Sequence, residues 1–262
     1  MSGAVADPSW LLAAWEAGLA TTGAGRAQLL HRTARPRDGA DVLASVPVGE
    51  READLYGLRR ALFGERMEVV LDCAACGEAL ELDLDAGAVA SRPGGDPLEV
   101  TADGWTVRFR LPTVGDLADA ARTGDAGAAR RVLIERCVLA AWGPGGDAAS
   151  GPGVGAASAP GGDVSAVASG LPEPVLRAVA DAASAADPAA EVTLSADCPE
   201  CGHAIRAELD IASYLWTELD AWARDTLLDV HLLATAYGWS EPQILALSPL
   251  RRRYYLELCA DA

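Results

Sequence analysis

Residues 73 to 77 read CAACG and residues 198 to 202 read CPECG, the same five-residue device present twice. A CxxCG turn presents two thiolates to one ion, and its glycine takes the left-handed backbone that the turn requires. Two such turns supply the four sulfurs of a closed tetrahedral site. Cys73, Cys76, Cys198 and Cys201 are therefore the predicted ligands, and zinc is the predicted cofactor. A thioredoxin-type CxxC belongs beside a βαβ pattern, whereas both of these sit where hairpin tips are expected. The usual gap between zinc-ribbon pairs is about 15 to 20 residues; here 121 residues separate Cys76 from Cys198. The spacing predicts a ribbon split by a helical insertion and closed within one chain.

The repeat extends past the cysteines. Gly77/Gly202, Ala79/Ala204, Leu84/Leu209 and Asp85/Asp210 all stand 125 positions apart. Leu80, Leu82 and Leu84 alternate with Glu81, Asp83 and Asp85, the pattern of a strand with one wet face. EVVLD and EVTLSAD precede the knuckles and differ by two residues, which keeps strand facing because side-chain direction has period two. The two segments read as equivalent hairpins.

Other histidines and cysteines offer less. His203 follows the second knuckle and is redundant as a ligand; a surface position is expected. Cys137 and Cys259 fall on apolar helical faces and are expected to be buried as small hydrophobes. His31 and His231 have no partners at catalytic spacing.

The elements that must hold the knuckles are mostly helical. DPSWLLAAWEAGLA over 7–20 has Asp7 as a cap, Pro8 for the first turn and an apolar face. Further helices are predicted at 24–33 and from Glu50 to Phe63, the latter stopped by Gly64. PLEVTADGWTVRFRL reads as a hairpin turning at Asp103-Gly104. Thr113 caps VGDLADAA, and 126–142 reads as one helix, AGAARRVLIERCVLAAW. LPEPVLRAVADAA is another. A long helix runs from Ile211 to Tyr237, ended by Gly238. Ser240 with Gln243 opens a short helix, and Ser248-Pro249 opens the last.

The fold class is thus α+β, predominantly α-helical, with a split zinc ribbon built from two CxxCG β-hairpins. N-terminal helices occupy 1–66. The first knuckle hairpin, a second hairpin and helices occupy 67–142. A flexible Gly/Pro/Ala/Ser loop covers 143–170, where almost no large side chain exists to offset ordering entropy. A helix, the second knuckle hairpin and a three-helix segment fill 171–262.

Composition removes several functions. The net charge of −17 opposes general affinity for phosphate backbones or anionic lipid. Lysine is absent, which removes P-loop, Schiff-base and lysine-base chemistry. A closed four-thiolate site leaves no position for water, and no HExxH, GxSxG or dinucleotide-binding glycine signature occurs. No catalysis is expected. MSGAVADPSW lacks the basic region of a secretory signal, and no stretch reaches the roughly 20 apolar residues of a membrane span, so no membrane contact and a cytoplasmic location are expected.

One charge run stands out. Arg251, Arg252 and Arg253 lie at a helix start, where cations oppose the dipole. Pairing with the protein's own acidic surface is the plain explanation. The sharper one is a partner-binding surface that adds Tyr254 and Tyr255 as aromatic area.

VGEREADLYGLRRALFG followed at once by CAACGEALELDLD resembles the zinc-knuckle region of the baseplate proteins of T-even-type contractile-tailed phages, a family often described as baseplate hub assembly chaperones. RLPTVGDLADAA and LIERCVLAAW resemble it too. The segment from CPECGHAIRAELD through YGWSEPQILALSPLRRRYYLEL is similar to proteins encoded with phage-tail-like contractile injection systems. The resemblance implies an assembly factor or chaperone, or a minor component, with baseplate, hub or tail proteins as partners. The alternative is a zinc-ribbon regulator binding nucleic acid through its last three helices. That reading needs Arg224 and Arg251 to Arg253 on one exposed face, and the net charge argues against it.

Overall fold

Short polar caps and glycine stops cut this chain into its elements. The computed structural model describes residues 7–95, 97–144 and 170–260. The loop expected at 143–170 falls almost wholly outside them. The described residues are mixed α and β, mostly helical with small sheets. Contacts divide the chain into two units, one of residues 1–36, 58–64 and 210–262, the other of 37–57 and 65–209.

The first unit is helical. Asp7 accepts from the Ser9 amide at 2.9 Å and starts α1 (Pro8–Leu19). It is joined by α2 (Ala24–Ala34), the last residues of α4 (Val48–Phe63) and α9 (Ile211–Tyr237). Asp210 caps α9 through the Ser213 amide, and Gly238 closes it at φ +70°, as a left-handed C-terminal stop requires. Buried Leu215, Leu219, Ala223, Thr226 and Leu233 lie along one face of α9. Gly18 lets α1 approach: a Cβ there would fall 2.2 Å from the Trp216 ring. Trp15 donates its indole N–H to Asp220 at 2.8 Å. Arg59 of α4 holds Glu218 through two bonds, at 2.9 and 2.7 Å. Two short runs finish the unit, α10 (Glu241–Leu245), where Gln243 accepts from the Ser240 amide, and α11 (Pro249–Ala260).

The second unit holds every strand found among the described residues. Hairpin β1 (Arg66–Asp72) with β2 (Ala79–Asp85) runs in register from Arg66↔Asp85 to Asp72↔Ala79. A four-residue helix, α5 (Ala86–Val89), follows. β3 (Leu98–Ala102) and β4 (Trp105–Phe109) turn at Asp103-Gly104, both at positive φ. The short α3 (Ala40–Ala44) contacts α6 (Val114–Ala121), whose capping box joins Thr113 and Asp116.

The helix expected over 126–142 is instead two elements. α7 (Ala126–Cys137) stops at Cys137, and Val138–Trp142 forms β5, antiparallel to β4 with a register shift at Arg108/Phe109. Val138 and Ala141 thereby enter a core with Val107, Leu171 and Val175. Val175 lies on α8 (Glu173–Ala186), which contacts β3 and β4. Burial of β-branched and apolar side chains on a pleated face outweighs local helix preference there. The last hairpin is β6 (Thr193–Asp197) with β7 (Ala204–Glu208).

Candidate metal centre

Each cysteine pair sits in the turn of a two-stranded antiparallel hairpin, and the two turns are built alike. The Cys73 amide donates to the Glu78 carbonyl at 2.8 Å, and the Gly77 amide to the Cys73 carbonyl at 2.8 Å. Shifted by 125 positions, the Cys198 amide donates to His203 and the Gly202 amide to Cys198, both at 2.9 Å. Gly77 at φ +77° and Gly202 at φ +69° take the backbone that a side chain would strain. Strand β1 contacts β7 across the pair of hairpins.

The four sulfurs converge. All lie within 4.8 Å of one another, with Cys73 to Cys201 and Cys76 to Cys198 at 3.6 Å. A tetrahedron whose corners stand about 2.3 Å from a central ion has edges of about 3.8 Å, so the separations suit one tetrahedral ion. All four are free thiols, far beyond the roughly 2 Å of a disulfide. Cys73 and Cys198 are buried, Cys76 and Cys201 exposed, so each hairpin supplies one inner and one outer sulfur.

The electrostatics suit a cation. Backbone amides, that of Cys76 foremost and then Ala75, bring the Cys73 thiol down to about 6 against the opposing effect of burial. The Glu78 amide acts on Cys76 in the same direction, but the neighbouring thiols of Cys198, Cys201 and Cys73 push it up to about 12. Cys201 is also raised: the His203 amide and Cys76 favour its thiolate, and burial together with Cys198 and Cys73 outweighs them. One thiolate is thus prepared by the turn, and full ionisation of the set calls for a positive ion at its centre. Four soft sulfurs in this geometry suit a thiophilic tetrahedral metal ion and, once occupied by one, leave no open position for a water nucleophile.

Among the described residues no other group of three or more metal-binding side chains comes together. The His203 side chain is exposed outside the cluster. Cys137 is buried at the end of α7. Cys259 is only half-buried, beside Tyr237, whose hydroxyl pKa it raises by hydrogen bonding. The arginine run divides. Arg252 is buried, 3.7 Å from Asp229, while Arg251 is exposed and Arg253 pairs with Glu257 at 3.0 Å. Tyr254 is exposed, and Tyr255 packs edge-on to Trp239 and Tyr237. The five residues therefore do not share one face.

The turn amides of Ala75 and Cys76 are functional groups the side-chain pattern does not announce; the CxxCG turn itself was their signal. Compared with known proteins, residues 28–216 match a family model described as T4 bacteriophage base plate protein. That span includes both knuckles. No curated protein and no solved structure matches the chain.

Proposed function

Since the chain belongs to the T4 bacteriophage base plate protein family, we propose that it serves in building the baseplate or hub of a contractile, phage-tail-like injection system. In this reading it is an assembly factor or minor component, contacts other baseplate or tail proteins in the cytoplasm, and carries out no reaction. Its four thiolates hold one zinc ion that joins the two hairpins as a split ribbon. The observation carrying the reading is the convergence of Cys73, Cys76, Cys198 and Cys201 inside the family-matched span.

When bound, the ion would offset half of the four thiolates' charge and crosslink β1–β2 to β6–β7; the rest belongs to the chain. The turn amides orient the sulfurs, and the strands fix where each turn points. With all four positions of the ion taken by sulfur, the site has no place for a water nucleophile, which supports a structural role for the metal. The nucleic-acid alternative needs one exposed cationic face. Arg252 is buried, and Arg224 and Arg253 are engaged by Asp220 and Glu257.

The test is a tagged copy expressed with and without contractile-tail genes from the same genome. One zinc per chain by elemental analysis, with tail proteins co-purifying during assembly, supports the proposal. A metal-free protein that never associates with sheath, tube or baseplate proteins overturns it. Retention in the finished particle separates a component from a chaperone.

A further inference from the structure

Helix α11 turns apolar side chains to both sides. Its inward face is Arg252, Tyr255, Leu256 and Cys259, buried or half-buried where the helix packs with α9. Directly opposite stand Leu250, Tyr254 and Leu258, 66, 61 and 60 % exposed. Spacing of four places them on one stripe along the helix. Three large apolar groups in a row at this exposure form a continuous apolar stripe of the kind a partner can cover.

Their surroundings are electrically quiet. Residues 226–260 contain three acids, Asp229, Glu241 and Glu257, and three arginines, so their formal charge is 3 − 3 = 0 while the chain as a whole carries −17. Two copies of so acidic a chain repel each other least where the local charge is small. Outside the described residues lie 1–6, 96, 145–169 and 261–262, and apart from Met1 none of these has a side chain larger than valine. Together they lack the side chains to cover the stripe.

We propose that the stripe is an isologous interface between two copies of this chain, with their α11 helices antiparallel. With Tyr254 on the two-fold axis, Leu250 of one copy meets Leu258 of the other one turn away on either side. Arg253 and Glu257 lie on one flank of the stripe. Antiparallel pairing puts each Arg253 beside the other copy's Glu257, about 3 Å apart along the axis, so the pair that closes within a helix at 3.0 Å also closes between helices. Arg251 is on the other flank, where its methylenes cover the other copy's Leu258. The face is small against the roughly 1,200 Å² of a stable complex, so the dimer is weak and depends on concentration.

Sedimentation equilibrium of the full chain, from low to high micromolar, tests this. A monomer–dimer equilibrium is expected, tightening with salt as repulsion between acidic chains is screened. Tyr254→Ser with Leu258→Ser should abolish it while circular dichroism and melting stay unchanged, since both side chains are exposed. Arg253→Glu alone and Glu257→Arg alone should each weaken it about ten-fold or more. An equimolar mixture of these two variants should restore it as a heterodimer, although neither chain holds an internal pair. A wild-type chain that stays monomeric overturns the proposal. So does a dimer indifferent to the double serine variant, and so does a mixture that behaves like its components.

Discussion

Six cysteines in one chain divide by what their sulfurs touch. Cys73→Ser or Cys198→Ser removes an inner ligand; the expected outcome is loss of bound metal together with unfolding of the two hairpins, and aggregation through the strands so exposed, because ion binding and local folding are coupled. Cys137→Ala and Cys259→Ala should instead retain the metal and cost about 1 kcal/mol of packing each. Elemental analysis and melting curves of the four variants distinguish the two outcomes. Asp116 is the second residue with a sharp expectation. It is buried, and although burial raises its pKa, two bonds from Arg110 and those from Thr113 bring it to about 2 from an ordinary 3.8. A lowered folded-state value means stabilisation that is complete above about pH 4 and lost as pH falls through about 2. Asp116→Asn should therefore cost about 2 kcal/mol at neutral pH. The difference between wild type and variant should close only in that acidic window, and taking the difference removes the effect of thiolate protonation.

Between elements, close approach decides more than propensity does. Replacing Gly18 by alanine in α1 favours an isolated helix by up to about 1 kcal/mol. The added Cβ would stand 2.2 Å from a Trp216 ring that is buried and covered by Arg26 at 4.4 Å. Overpacking of that kind costs about 1 to 3 kcal/mol, so Gly18→Ala should lower the melting temperature and perturb Trp216 fluorescence. The same contrast explains what could be read from sequence. Caps at Asp7, Thr113, Asp210 and Ser240 and stops at Gly64 and Gly238 are local chemistry, and the helices they bound were legible. So was the knuckle pairing, because a repeated spacing and a constant register survive any insertion between them. β5 was not, since no glycine or proline separates Cys137 from Val138 and the partner strand lies about thirty residues upstream. Nor was the division of the arginine run, in which rotation of 100° per residue alone sends Arg252 inward toward Asp229. The short α3 and α5 carry too few residues to show a period.

At the scale of the whole molecule, the four ligands belong to one unit, and α9 belongs to the other. Removal of metal by a chelator should thus be local in its effect. Amide exchange at 66–85 and 193–208 should accelerate while the middle of α9 keeps its protection, as hydrogen-exchange mass spectrometry would show. Uniform acceleration along the chain, or none at the hairpins, would count against the ion as the tie between them. The distance between half-sites also has a temporal side. A ribosome adding about 5 to 20 residues per second needs roughly 6 to 25 s to travel from Cys76 to Cys201. During that interval the first hairpin is an emerging nascent segment with two uncommitted thiols, open to stray oxidants or to a passing ion it can hold only loosely. Production under reducing conditions with a thiophilic metal supplied during synthesis should therefore raise the yield of closed sites over supplying the metal afterwards.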